Sequence, residues 1–182
     1  MVNYNVAVMG ATGAVGEVLL EILAQRSFPV GELRLLASAK SAGKILKFAG
    51  KEIAVQELTE NSFEGIDIVL ASAGGALSKR FNPHAVSSGA VVVDNTSAYR
   101  MDSGVPLVVP EINPQDLSWH TGIIANPNCS TIIMDVVVWP LYKCCKIKRV
   151  IASTYQAVSG AGARAMEELN EQTRQLLAGE EI

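Results

Sequence analysis

Three glycines in seven residues, Gly10-Ala-Thr-Gly-Ala-Val-Gly16, separate a short apolar run, Asn5-Val-Ala-Val-Met9, from Val15, Val18, Leu19, Ile22 and Leu23 at helical spacing. An unbroken apolar run of this length reads as a buried strand, and the 3.6-residue spacing as a helix over Ala14 to Gln25. Phe28-Pro29 closes that helix, because proline cannot continue it, and Leu33-Arg-Leu-Leu-Ala37 supplies a second strand. A strand–helix–strand unit joins parallel strands. Glycine lets the backbone of such a loop approach a pyrophosphate, and the first N–H groups of the helix stabilise its charge. Gly10, Thr12, Gly13, Ala14, Val15 and Gly16 are therefore candidate phosphate-binding residues. Glycine turns of this kind also serve tight packing alone.

The alternation continues. Ile66-Asp-Ile-Val-Leu-Ala71 and Ala90-Val-Val-Val-Asp94 read as buried strands, joined by a helix from Ala76 to Ser88 that Pro83 is expected to kink or split. Residues 45–48 and 52–58 flank Ala49-Gly50-Lys51 as a small hairpin or excursion. Gly122-Ile-Ile-Ala125 is a further strand, Thr131 to Lys143 a helix packed into a core, Arg149 to Gln156 a strand, and Ala163 to Ala178 an amphipathic helix. The expected class is α/β, a doubly wound, mostly parallel sheet over residues 1–129. Residues 130–182 then begin a second domain that is only opened by Ile182.

The chain has 182 residues, enough for one domain and the start of another, and at 49% hydrophobic and 18% charged it has a globular composition. A net charge of -3 without a Lys/Arg cluster argues against nucleic acid and anionic membrane, leaving small molecules as partners. Asp135 and Pro140 interrupt the longest apolar run, which is too short to span a bilayer. Strand-like residues begin at Tyr4, so no leader is expected and the reading is cytoplasmic. Three cysteines, two of them adjacent at Cys144 and Cys145, suggest neither a disulfide framework nor a metal site.

After the second strand, an Asp or Glu would bond the 2′-hydroxyl of NAD and repel a 2′-phosphate. Here Ala37-Ser-Ala-Lys-Ser-Ala-Gly43 offers Lys40 with the hydroxyls of Ser38 and Ser41, a set suited to the phosphate of NADP. The alternative is a solvated loop lysine. Ser72-Ala-Gly-Gly75, with Gly74, either lets a cofactor cross the strand ends or is simply a turn. Asn126-Pro-Asn-Cys-Ser-Thr131 puts Cys129 at the start of a helix, whose positive end and N–H donors favour a nucleophilic thiolate. A buried, inert cysteine is the competing reading.

Gly10–Gly16, Val93-Asp-Asn-Thr-Ser97 with Arg100, Val108-Val-Pro-Glu-Ile-Asn113, Asn126–Thr131 and Thr154-Tyr-Gln-Ala-Val-Ser-Gly-Ala-Gly162 together resemble the N-terminal half of aspartate-semialdehyde dehydrogenase. These motifs run in the family's order along the whole chain. The resemblance implies a Rossmann-like NADP-binding domain followed by the incomplete start of an α+β catalytic and dimerisation domain. It implies a Cys129 acyl-thioester, Arg100 on the substrate phosphate, Gln156 holding substrate or intermediate, and Asn128 helping to position the carbonyl. Ser159 and Gly160 would contact the nicotinamide half of NADP. The reaction implied is reduction of 4-phospho-L-aspartate to L-aspartate 4-semialdehyde with release of phosphate, in the biosynthesis of lysine, diaminopimelate, threonine, methionine and isoleucine. A homodimer or homotetramer is implied for the full-length form. Taken alone, Arg100 could equally be a surface salt bridge and Gln156 a polar residue at a strand end.

The family also uses a histidine as general acid and base, from its second domain. His84 and His120 lie outside that context and read as surface or turn residues, so the chain alone is expected to be catalytically incomplete. A non-catalytic NADP-binding fragment is one alternative. Another is a short-chain-dehydrogenase-like oxidoreductase using Tyr142 and Lys146, against which Pro140 in the intervening helix speaks. A related reductase acting on N-acetylglutamyl phosphate would share much of the chemistry.

Overall fold

In the computed structural model, which describes residues 2–182, β1 (Tyr4–Met9) is the strand from which the sheet grows in both directions. The elements that follow are α1 (Ala14–Gln25), β2 (Val30–Ala37), β3 (Ile45–Phe48), β4 (Lys51–Glu57), β5 (Ile68–Ala71), α2 (Gly75–Ser87), β6 (Val91–Asp94), β7 (Ile123–Ala125) and α3 (Cys129–Cys144). They build a seven-stranded sheet in the order β3-β4-β2-β1-β5-β6-β7. Every neighbouring pair is parallel except β3 with β4. The chain leaves β1 on one side for β2 and comes back on the other for β5, so the strand order reverses between β1 and β5. In open α/β sheets ligands bind beyond the carboxyl ends of the strands at such a reversal.

Alternation along β1 divides the core. Ala7 and Met9 join Leu36, Phe63, Ile66, Val69, Phe81, Ala85 and Val92 on one face, whereas Val8 joins Leu20, Leu35 and Val55 on the other. Burial on both faces explains why β1, β5 and β6 are short apolar runs. α1 buries Gly16, Leu20 and Leu23. Val15, Val18 and Ile22, which share the helical spacing, instead stand in solvent at 40%, 53% and 40% exposure. The helix is turned so that Gly16, without a side chain, meets the loop after β1. It ends with Ser27 in the left-handed region at φ 48 and the Phe28 N–H on the Leu23 carbonyl, one residue before Pro29.

The segment around Ala49 and Gly50 is a hairpin whose two turn residues both have positive φ, 47 and 80, the geometry that matches the twist of antiparallel strands. It widens the sheet at the β2 edge.

Three expectations need correction. Pro83 does not split α2, which is continuous from Gly75 to Ser87. Ser78, Phe81, Asn82 and Ala85 are buried on one face on both sides of the proline, and these contacts outweigh the one backbone bond it removes. α3 forms as read, but none of its residues is buried, and Ile133, Val137 and Leu141 are 69%, 64% and 58% exposed. Arg149 to Gln156 forms no strand, because a strand needs a neighbour to satisfy its backbone and none is available to it among the described residues.

Clustering of contacts divides the chain after Arg149. The second unit, Val150–Ile182, contains a 3-10 turn at Val158–Ala161 and α4 (Ala163–Ala178). Gly162 precedes α4 at φ 93, and Gly179 ends it in the left-handed conformation.

Phe63 is the largest fully buried side chain, at 0% exposure in the cluster on the α2 side. Phe63→Ala is expected to lower unfolding stability by about 3–5 kcal/mol through lost contacts and an unfilled cavity. Denaturant unfolding of both forms measures this, and a loss below about 1 kcal/mol would contradict the packing described.

Candidate active site

Five loops meet at the carboxyl edge of the sheet, following β1, β2, β5, β6 and β7. The first is the glycine loop. A Cβ on Gly10, which has φ +91, would lie 2.6 Å from the Ser72 carbonyl oxygen, so this loop packs backbone to backbone on the segment after β5. A Cβ on Gly16 would strike the Gly10 carbonyl and lie 2.7 Å from the Ala11 Cα, which seats α1 directly on the loop. Gly13 caps α1 without a side chain, its own N–H held by the Gly10 carbonyl at 3.0 Å. The N–H groups of Ala14 and Val15 then meet no acceptor among the described residues, and both residues are exposed. Open N–H groups at a helix start, with no side chain in front of them, fit an anionic diphosphate.

Ser38, Lys40 and Ser41 follow β2 in a single 3-10 turn spanning Ala39–Ser41. Thr12 of the glycine loop reaches that turn, its Oγ1 lying 3.5 Å from the Ser41 Oγ. Ser38 and Lys40 are exposed, and no carboxylate occupies the turn. The set read from the sequence for a ribose phosphate thus lies beside the glycine loop. Gly74, at φ 95, is the residue before α2.

Beyond β6 and β7 lie the residues around the cysteine. Arg100 is half-buried and in no ion pair among the described residues, which removes the surface salt bridge as its role. Its Nε donates to the Asn126 carbonyl at 2.9 Å and its Nη2 to the Asn95 carbonyl at 3.0 Å. Asn126 Nδ2 in turn donates to Asn95 Oδ1 at 2.7 Å. Arg100 is therefore anchored to the loop that leads, three residues on, to Cys129.

Asn128 caps α3, its Oδ1 accepting the Ser130 N–H at 3.0 Å. That bond uses the amide oxygen, and the Nδ2 group meets no acceptor among the described residues. Cys129, the first residue of α3, is exposed, so it is not an inert core thiol, and its Sγ lies 4.0 Å from the Ser130 Oγ. The Cys129 and Thr131 N–H groups meet no acceptor among the described residues. In the second unit, Gln156 Oε1 accepts from Thr154 Oγ1 at 3.2 Å. Ser159 and Gly160 form the 3-10 turn before Gly162.

The residues missed in the sequence lie behind this edge. Asp94, fully buried at the end of β6, accepts from the Thr96 N–H at 2.6 Å, Asn82 Nδ2 at 2.8 Å and Ser78 Oγ at 3.3 Å. It ties α2 to the bend that carries Arg100, and three donors offset the cost of burying a carboxylate. The only signal was two polar residues on the buried face of an otherwise readable helix. Tyr99, in the same bend, packs beneath Lys79, whose Nζ lies 3.9 Å from the ring centroid.

The histidines and the tyrosine–lysine pair stand elsewhere. His120 precedes β7, its Nδ1 accepting the Gly122 N–H at 3.0 Å, and His84 is in the last turn of α2. Neither is at the carboxyl edge. α3 continues through Pro140, contrary to expectation, but it ends at Cys144, so Lys146 is not on the helix that holds Tyr142. Tyr142 is stacked on Trp139 at 5.8 Å. No helix among the described residues is long and apolar enough to cross a membrane.

Burial raises the Tyr99 phenol above its ordinary 10.0, with Asp94 and Asp102 adding to the effect. The folded chain therefore holds this proton more tightly than the unfolded one. Its contribution is complete below pH 10 and is lost as pH climbs through the higher folded value. Thermal unfolding should therefore show a fall in melting temperature above pH 10 that is shallower in Tyr99→Phe. Identical alkaline slopes would refute the coupling.

Comparison with known proteins gives a consistent picture. The family profile described as semialdehyde dehydrogenase, NAD binding domain, matches residues 5–120, and that described as semialdehyde dehydrogenase, dimerisation domain, matches residues 138–182. An aspartate-semialdehyde dehydrogenase of Synechocystis is 56% identical over 175 residues, covering 96% of this chain and 52% of the relative. The crystal structure of aspartate semialdehyde dehydrogenase II from Vibrio cholerae, complexed with ASA, superposes with a TM-score of 0.93 at 49% identity, covering 99% of this chain and 54% of that one. Aspartate semialdehyde dehydrogenase with NADP from Candida albicans gives a TM-score of 0.68 at 27% identity, over 79% of this chain and 48% of that one. The chain spans about half the length of the relatives it matches.

Proposed function

The chain belongs to the semialdehyde dehydrogenase family, and we propose that it serves the NADP-dependent reduction of 4-phospho-L-aspartate to L-aspartate 4-semialdehyde, with Cys129 as nucleophile. The observation that carries the reading is Cys129, exposed at the start of α3 on a loop anchored by Arg100, at the edge that also holds the glycine loop. The half-length match makes this a proposal about the protein completed to the length of its relatives. Residues 1–129 act as the nucleotide-binding domain, and residues 130–182 open the catalytic and dimerisation domain. The dimerisation profile over residues 138–182 supports a homo-oligomer, dimer or tetramer.

The Cys129 thiolate attacks the acyl carbon of the substrate, forming a thioester as the C–O bond to phosphate breaks. Phosphate leaves toward Arg100, whose planar guanidinium offers N–H groups beyond the two already engaged. Asn128 Nδ2 and the open N–H groups at the start of α3 steady the carbonyl oxygen as it gains charge. Gln156 holds the substrate or the intermediate. When bound, NADPH would supply the hydride that takes the thioester to the aldehyde, with the Cys129 sulfur leaving as thiolate. Gly10, Gly13, Ala14 and Val15 would hold its diphosphate, Gly16 lets α1 approach, Gly74 would let it cross the strand ends, and Ser159 and Gly160 would contact its nicotinamide half. Neither His84 nor His120 acts as general acid or base, since both stand away from this edge.

NADP rather than NAD is supported by Lys40 with the hydroxyls of Ser38 and Ser41, and by the lack of a carboxylate in the turn after β2. Lys40→Glu is expected to weaken NADP binding at least about tenfold while leaving NAD binding within about twofold, read by isothermal titration on this chain. Equal losses for both cofactors would overturn the assignment. Cys129→Ser, in a form completed to the relatives' length, should cut phosphate-dependent oxidation of the semialdehyde by about a thousandfold or more without changing NADP affinity. Retained activity would sink the thioester route.

A further inference from the structure

Arg100 is held by two main-chain carbonyls on different loops: Asn126, after β7, and Asn95, after β6. The plane of its guanidinium is therefore set by the spacing of those carbonyls, and bidentate recognition of a phosphate depends on that plane. One bond ties the two residues directly. Asn126 Nδ2 donates to Asn95 Oδ1 at 2.7 Å, across 31 residues of sequence, and closes a ring of Arg100, Asn126 and Asn95. All three residues are half-buried, where such a bond is partly shielded from water.

We propose that Asn126, through this side-chain bond, is a positioning residue that holds Arg100 in the orientation in which it receives phosphate. The inference rests on the assignment of Arg100 to phosphate. The backbones of both asparagines are secured independently: the Asn126 N–H donates to the Asp94 carbonyl and the Asn95 N–H to the Ala71 carbonyl, each at 2.8 Å. Both loops thus keep their place on the sheet when the amide bridge is removed. What is lost is the direct tie between the two residues, and with it the restraint on how their carbonyls are turned toward Arg100. The bridge also touches the cofactor side, because Asn95 Nδ2 lies 3.5 Å from the Ser72 Oγ. Asn126 is therefore the cleaner position to alter.

The test is phosphate-dependent oxidation of the semialdehyde by a form completed to the relatives' length. Asn126→Ala should raise KM for inorganic phosphate about tenfold, with KM for NADP within about twofold and the melting temperature nearly unchanged. Asn95→Ala reads the same bond from its other end should the first variant fail to fold. The double variant should be no worse toward phosphate than either single one, because both remove one interaction. Unchanged phosphate KM in the single variants, or single effects that multiply in the double, would overturn the inference. Arg100→Ala separates the two layers: if it leaves the phosphate KM unchanged, the assignment of Arg100 fails first and the inference falls with it. A large rise there, with none in Asn126→Ala, refutes the inference alone.

Discussion

Backbone stands directly on backbone where Gly10 meets the Ser72 carbonyl and Gly16 meets Gly10 and Ala11. These contacts set how closely β1, α1 and the end of β5 can converge, and the carboxyl edge inherits its geometry from them. With side chains at these positions α1 would lift off the strand, and the exposed N–H groups of Ala14 and Val15 would no longer face the point where the strand order reverses. The polar residues of the edge are arranged around a scaffold that two missing Cβ atoms permit.

The edge is organised by polar bonds that join loops rather than neighbouring residues. Asp94 gathers α2 and the bend carrying Tyr99 and Arg100, and the Asn95–Asn126 pair joins that bend to the cysteine loop. Such bonds are worth more inside a protein than at its surface, and an unpaired member would be costly. Function and stability therefore draw on the same groups here. The bend that presents Arg100 is also the roof over the buried carboxylate.

Much of the fold was legible because burial on both faces leaves an unmistakable pattern. β1, β5 and β6 are unbroken apolar runs, α4 begins and ends where its periodicity does, and Ala49-Gly50 marks a hairpin by its need for positive φ. What escaped was whatever depends on a distant partner. Arg149 to Gln156 has strand-forming residues, but pairing is a property of two segments. Pro83 reads as a break when α2 is taken alone, yet Asn82 beside it is tied to Asp94 on another element. In the candidate site, the glycine loop and Cys129 could be read from local chemistry. The Asn95–Asn126 bridge could not, because nothing local distinguishes those asparagines from turn residues.

The sheet that grows both ways from β1 also implies an order of assembly. β2 follows β1 after a single short helix, so that pairing closes a small loop early. β5 must wait for the hairpin and the Phe63 segment, and its pairing with β1 encloses the longest stretch of chain in the sheet, whereas β6 and β7 then add over shorter ones. Loop-closure entropy rises with the length of chain enclosed, and non-local pairs form later. The corner around Gly10 is therefore the part of the sheet whose strands can pair first. The cysteine loop, which leans on β6 and β7, joins that corner only through the long β1–β5 closure.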